Sequence, residues 1–256
     1  MTNCIYSPLE QFEILPLINL NFGLLDLSIT NQTVILFILT FFILSLFFGL
    51  LNKFDNTLLI VPNRYQVVIE IVYSMILSMV TDNIKGEKNQ FFFPLIFVIF
   101  FFIAGMNLIG LVPYSFTVTS HFLVTLALSL SIFIGMNIIC VRTYKLEFFS
   151  LFLPSGTSVG LAFLLVPVEL ISYIFKPLSL AIRLFCNMMA GHTLLKVFVG
   201  FSWSLMSFTG ILFMMHYIPL LILVPLFGLE FGVAMIQAFV FSLLTCIYLN
   251  DALNLH

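Results

Sequence analysis

The sequence predicts an all-α polytopic membrane protein, and three observations carry that prediction. First, the 256 residues are 62% hydrophobic and 8% charged, with a mean hydropathy of +1.20. Soluble domains hold roughly 45–50% apolar and about 25% charged residues, so a water-soluble fold is close to excluded. Second, uncharged apolar blocks of spanning length alternate with short charged clusters. Third, the alternating pattern of a transmembrane barrel is missing, which leaves helices as the spanning element. Intrinsic disorder needs few apolar residues and many charges, and is excluded too. Nine Lys and Arg against eleven Asp and Glu give no basic face for a nucleic acid. Thirty-two phenylalanines suit contact with lipid tails.

Glu10, Glu13 and Asp26 lie in an N-terminal segment, residues 1–32, that has no Lys or Arg. A spanning helix follows over 33–51, near the ~20 residues the bilayer requires. The first apolar run starts late and after acidic residues, which argues against a cleavable signal peptide. Residues 62–88 read as an amphipathic helix and loop. Pro62-Asn63 suits a helix start. Gln66, Glu70, Ser74, Ser78 and Asp82 then recur every fourth residue among apolar neighbours, the pattern of an interfacial helix. Residues 91–141 form a transmembrane helix pair that turns near Pro113–Thr119. The positive-inside rule puts Lys53, Arg64, Lys85, Lys88, Arg142 and Lys145 on one side, cytoplasm or matrix, and the acidic N-terminus on the other.

The last segment, 157–250, holds two apolar stretches of about forty residues each. Such a helix would be ~60 Å long, against a hydrocarbon core of ~30 Å. The reading is a hairpin of two long, strongly tilted helices joined near Gly200–Gly210. Six charges persist there: Glu169, Lys176, Arg183, Lys196, Glu230 and Asp251. Glu169, Ser172, Lys176, Ser179, Arg183, Asn187 and Ala190 fall within about 40° of Arg183 on a helical wheel. Glu230, Gln237 and Asp251 share a face of the second helix. With a pivot near residue 210, antiparallel pairing sets Arg183 opposite Gln237, Glu169 opposite Asp251 and His192 near Glu230. His192, however, lies about 180° from Arg183 on the wheel.

An Arg near the bilayer centre costs ~2.5–3.5 kcal/mol on insertion scales and so asks for a partner or a pathway. Glu169 is fourteen positions from Arg183, too far to pair. The partner is expected on a neighbouring subunit. The four cysteines form no CxxC and imply free thiols, no cofactor and no metal site. No phosphate loop, GxSxG or HExxH is present, so any nucleotide chemistry belongs to another chain.

The segment Ser179-Leu-Ala-Ile-Arg-Leu-Phe-Cys-Asn-Met-Met-Ala-Gly-His192 is similar to the SLxxRLxxNMxAGH segment of subunit a of the rotary F-type ATP synthase. Pro113-Tyr-Ser-Phe, Thr119-Ser-His121, Pro167-Val-Glu169, Leu229-Glu230, Ile236-Gln-Ala238 and Tyr248-Leu-Asn-Asp-Ala252 extend the resemblance. Ser7-Pro-Leu-Glu-Gln-Phe-Glu13 and Asn254-Leu-His256 resemble mitochondrial members. So does His192 with Glu230, where bacterial relatives usually exchange the acid and the His. Cys186, Phe239, Lys176 and Ser155–Ser158 depart mildly from the family pattern.

The resemblance implies a proton-translocating stator subunit of the mitochondrial inner membrane, multi-pass, with its N-terminus toward the intermembrane space. It would work beside the c-ring, the peripheral stalk and other small Fo subunits, in lipid. Arg183 would be the essential proton-translocation residue, holding the ring carboxylate ionised and blocking a leak between two offset half-channels. His192 and Glu230 would line the entry path, and Glu169 and Asp251 the exit path. Asn187, Gln237, Ser172, Ala190, Gly191, Asn107 and His121 would support them, Ala190 and Gly191 by letting the ring helix come close.

Other readings stay open on the residues alone. Arg183 fits a structural salt bridge, Glu169 and Asp251 fit interfacial anchors, and His192 fits a packed histidine. Asn107 and His121 fit ordinary interhelical hydrogen-bond partners. A self-contained ion channel or secondary transporter predicts inverted repeats, which are not evident. An intramembrane enzyme lacks a nucleophile motif.

Overall fold

The computed structural model describes residues 9–22, 25–54, 64–84, 89–112, 115–145, 159–207 and 214–253. Its main elements are α1 (Asn31–Phe54), α2 (Arg64–Asn83), α3 (Asn89–Gly110), α4 (Phe122–Tyr144), α5 (Val159–Met206) and α6 (Tyr217–Leu253). α3, α4, α5 and α6 are each long and apolar enough to cross a membrane. The chain is an all-α, multi-pass membrane protein. The helix-start pair Pro62-Asn63, the turn residues Pro113-Tyr114, the Ser155–Ser158 stretch and both terminal motifs fall partly or wholly outside the described residues.

Helices prevail because every backbone N–H and C=O in hydrocarbon needs an internal partner, which an α-helix supplies. Many large side chains face outward, beside a buried core that includes Leu39, Ile76, Ile103 and Phe241. Phe37, Phe41, Phe91, Phe163 and Trp203 are 72–86% exposed. In a soluble protein such patches would be an aggregation liability, whereas lipid is their natural solvent. α2 is different. Glu70, Ser74, Ser78 and Asp82 are exposed, while Ile76, Met79 and Val80 are buried. One face therefore packs on protein, as the every-fourth-residue pattern predicts.

The N-terminal segment holds structure that the sequence does not announce. A 3-10 turn at Glu10–Phe12 leads into β1 (Pro16–Ile18), which pairs antiparallel with β4 (Ile29–Thr30) around the β2–β3 pair, Asn21–Phe22 with Leu25–Asp26. Asn31 ties this ribbon to α1. Its Nδ2 donates to the Glu13 carbonyl at 3.1 Å, and its Oδ1 accepts from Leu15 N–H at 3.3 Å.

The chain divides into two compact units. The first comprises Met1–Leu50, Phe102–His121 and Leu184–Ala238. Here a Cβ at Gly105 would lie 2.6 Å from Leu39 Cδ1, so α3 and α1 need a glycine where they meet. Leu111, Met188 and Ala234 pack together. Asn107 is fully buried and donates to the Ala234 carbonyl at 3.2 Å. Ser202 donates to the His216 carbonyl at 3.2 Å. His192 meets Glu230 in the same unit, so partners descend on α5 as they rise on α6 and the two segments run antiparallel. α5 continues through Gly200 to Met206, so the join falls later than Gly200.

The second unit comprises Leu51–Phe101, Phe122–Arg183 and Phe239–His256. Tyr73 of α2 meets Phe93 of α3 edge-on at 4.9 Å, and the rings continue to Phe97 and Phe101 at four-residue steps. Ser242 Oγ lies 3.8 Å from Met79 Sδ. α4 ends at Tyr144, and the next residue, Lys145, takes a left-handed φ of 49°. The preceding Tyr144 hydroxyl donates to the Leu253 carbonyl.

Candidate functional site

Most of the polar stripe on α5 is exposed among the described residues. Before Leu184, the residues Glu169, Ser172, Ser179 and Arg183 are exposed, whereas Pro177, Leu180 and Ala181 are buried. After it, Leu184 and Met188 are buried, Asn187 is half-buried and Ala190 is exposed. The buried positions recur at three- and four-residue steps, as one packed face of a helix must. Arg183 is not on that face. Among the described residues it forms no ion pair.

The buried acid of the first unit is Glu230, 5% exposed. Its Oε1 lies 3.6 Å from His192 Nδ1. Among the described residues neither carboxylate oxygen nor His192 Nε2 has a hydrogen-bond partner. A buried polar group without a partner carries the full cost of lost hydration, roughly 1–3 kcal/mol and more when charged. Such a cost persists where water, a proton or another chain completes the site.

Gly191 explains how the pair forms at all. A Cβ there would stand 2.6 Å from Glu230 Oε1 and 3.0 Å from its Cδ. The carboxylate therefore occupies the space of a missing side chain. The resemblance gave Gly191 the task of admitting a ring helix; within this chain it admits Glu230. The same contact removes the difficulty that His192 lies behind the stripe. Glu230 reaches across Gly191 and faces both sides. On one side it lines a groove of about 240 Å³ with Asn187, Ala190 and Gly191. On the other it touches His192, which lines a separate cavity of about 820 Å³. Protonatable groups thus stand between two spaces. That arrangement can hand a proton from one to the other.

A testable consequence follows from the contact with Gly191. Gly191→Ala is expected to keep the fold, changing stability by less than about 1 kcal/mol, because alanine favours a helix and the clashing atom is the free end of a side chain. The carboxylate should swing away, lengthening the His192–Glu230 separation. A melting curve together with a density map of the variant checks both halves; an unmoved Glu230 would refute the account.

In the second unit Asp251 does not face Glu169. Its Oδ2 lies 3.9 Å from Lys176 Nζ. Two carboxylates repel, while the cation seven positions further along α5 attracts, so the pairing arithmetic fails on charge. Lys176 also sits 5.6 Å from the Tyr173 ring and 5.2 Å from the Tyr248 ring, within cation–π range. Tyr173 in turn donates to Asn137 Oδ1. A cavity of about 20 Å³, room for one water, lies among Tyr173, Lys176, Tyr248 and Asp251. From the sequence Lys176 falls on the polar stripe of α5 with no partner named, and the tyrosines are given no role. The available signal was spacing: Tyr173–Lys176 and Tyr248–Asp251 are both three apart, on one helix face each.

The remaining residues are scattered. Asn107 is buried with its Oδ1 unpartnered. His121 stacks on Phe116 at 5.1 Å, and burial pushes its imidazole below the usual pKa, favouring the neutral form. Gln237 is half-buried. Among the described residues no group of three or more His, Cys, Asp and Glu could hold a metal, and Cys140, Cys186 and Cys246 are free.

Residues 33–250 match the family model described as ATP synthase A chain. Curated relatives are similar over nearly the whole chain. An ATP synthase subunit a of Pylaiella littoralis is 52% identical over 250 residues, spanning 98% of this chain and 99% of the relative. One of Chondrus crispus is 49% identical, spanning 98% of each. One of Marchantia polymorpha is 49% identical, spanning 98% and 99%.

Proposed function

The chain belongs to the ATP synthase A chain family, and from that membership we propose a route for the proton through its named residues. As a member it is the proton-translocating stator subunit of the membrane sector Fo. It works with other Fo subunits such as the c-ring, and the nucleotide chemistry lies on other subunits. A self-contained channel or transporter is thereby set aside.

In our reading Arg183 faces the ring carboxylate and is the essential residue of translocation. The observation that carries this is its position. A guanidinium stands exposed on an apolar helix, and no carboxylate of the described chain pairs with it. An unpaired cation in hydrocarbon is costly, so its partner comes from outside. Opposite charge holds that partner ionised as it passes. Asn187 and Gln237 support the guanidinium, and Ala190 keeps the face small enough for a ring helix to approach. Protons enter by His192 and Glu230 and leave by Glu169 and Asp251, with Ser172, Asn107 and His121 as polar supports. Lys176 joins the exit group, because it holds Asp251. The two paths do not join within the chain; rotation of the ring joins them.

The assembly sits in the mitochondrial inner membrane among lipid, peripheral stalk and small Fo subunits. Its acidic N-terminus faces the intermembrane space, as the distribution of Lys and Arg requires.

Cross-linking tests the ring-facing assignment. In the assembled complex with its native cysteines replaced by alanine, Ser179→Cys should form a disulfide with a cysteine introduced near the ring carboxylate. Ala181→Cys, on the buried face, should not. The reverse pattern would place the ring elsewhere.

A further inference from the structure

The 820 Å³ cavity that reaches His192 has an unexpected wall. One side is α5, with His192 and Lys196; the facing side is the N-terminal segment, with Glu10, Gln11 and Glu13. That segment does not hang loose. β1 pairs with β4, Asn31 N–H donates to the Leu15 carbonyl at 3.2 Å, and the Asn31 side chain holds Glu13 and Leu15. The cavity has room for some tens of waters at ~30 Å³ each, and Glu10, Gln11, Glu13, His192 and Lys196 give a largely apolar lining the polar groups that can hold them. Gln11 Nε2 is buried against it without a partner, and so is His192 Nε2. Two carboxylates against one ammonium leave the lining net negative, and α1 and α6 add only Asn31 and apolar residues to it. A cleft of one sign with low-dielectric walls concentrates ions of the other sign.

We propose that the segment Glu10–Leu15 is the proton-collecting wall of the entry path, with Glu10 and Glu13 as its collecting carboxylates and Asn31 as the latch that holds it over His192. The proposal rests on the reading of His192 and Glu230 as the entry pair. A proton passes from hydronium to a carboxylate, then through cavity water to His192 and on to Glu230. Each carboxylate ends ionised as it began, so nothing is consumed but the proton gradient. Glu10 and Glu13 raise the supply of protons; they do not touch the ring.

The test uses the whole complex in liposomes, reading proton-driven ATP synthesis against entry-side pH. Four variants are compared with the unaltered chain: Glu10→Gln with Glu13→Gln, the corresponding Asp pair, Asn31→Ala, and Glu230→Gln. At about pH 8 and low salt, where protons are scarce, the Gln pair should run about ten-fold slower, the low end of electrostatic steering effects. The deficit should vanish near pH 5.5 and shrink in about 1 M salt, where the screening length falls to about 3 Å. The Asp pair should restore the rate, and Asn31→Ala should reproduce part of the deficit. A Gln pair that tracks the unaltered chain at every pH, with Glu230→Gln still slow, overturns the collecting wall alone. A deficit equal at every pH and salt also overturns it, as the mark of a structural fault. If Glu230→Gln is itself without effect, the entry pair falls instead.

Discussion

Arg183→Ala is expected to abolish proton-driven ATP synthesis while leaving the complex assembled. The side chain lies on the exposed face of α5, away from the buried positions Leu180, Ala181 and Leu184. Its loss therefore removes little packing. What it removes, in the proposed mechanism, is the charge that keeps a passing carboxylate ionised. At ~4 Å and an effective dielectric of about 20, one such pair interacts by about 4 kcal/mol, which corresponds to roughly a thousand-fold in rate. The same variant should leak. Without a fixed cation, a protonated ring carboxylate slips past unhindered and carries protons without torque. Two measurements on one preparation decide the matter: synthesis under an imposed gradient, and passive proton uptake by vesicles whose catalytic sector has been stripped off. Intact synthesis would remove Arg183 from the mechanism. Lost synthesis with lost subunits would make it structural.

Glu230→Gln is the second large expected effect. Glutamine has the shape of glutamate and fits the space beside Gly191, so assembly should survive. It cannot pick up and release a proton at Oε1, the atom 3.6 Å from His192. Positioned acid–base groups contribute typically 10²–10⁴-fold, and a loss of about a hundred-fold in proton-driven synthesis is expected. The loss should persist at entry-side pH from about 5.5 to 8, because the missing group is a relay and not a matter of supply. Glu230→Asp, one methylene shorter, should retain part of the rate. A Gln variant with normal turnover would leave the buried carboxylate a packing residue.

The helices of the membrane region were readable because their signal is coarse. Blocks without charge become α3 and α4 within a few residues of where the clusters stop. α4 starts only at Phe122 because Val118–Ser120 closes into a 3-10 turn, with Ser120 Oγ donating to the Thr117 carbonyl at 2.6 Å. The N-terminal ribbon was not readable. Its strands are two or three residues long, too short for an alternating pattern to show. At the site, one pairing was legible and one was not. Equal-rise arithmetic sets His192 beside Glu230, which the structure does too, but it matches Asp251 with another acid. Arithmetic counts positions and ignores the sign of charge and the reach of a lysine stem. A helical wheel, for its part, cannot show that a glycine lets a residue from the facing helix cross its surface.

α5 runs as one helix from Val159 to Met206 although Pro167 and Pro177, which have no N–H to donate, lie within it. Forty-eight residues make about 72 Å of helix. Mechanically this is a beam. In the proposed arrangement, sideways force from the ring on α5 is met by the contacts that flank it in each unit. Ser202 with His216 and Lys176 with Asp251 are among those contacts. Stiffness here sets how much of each proton's energy turns the rotor and how much merely bends the stator.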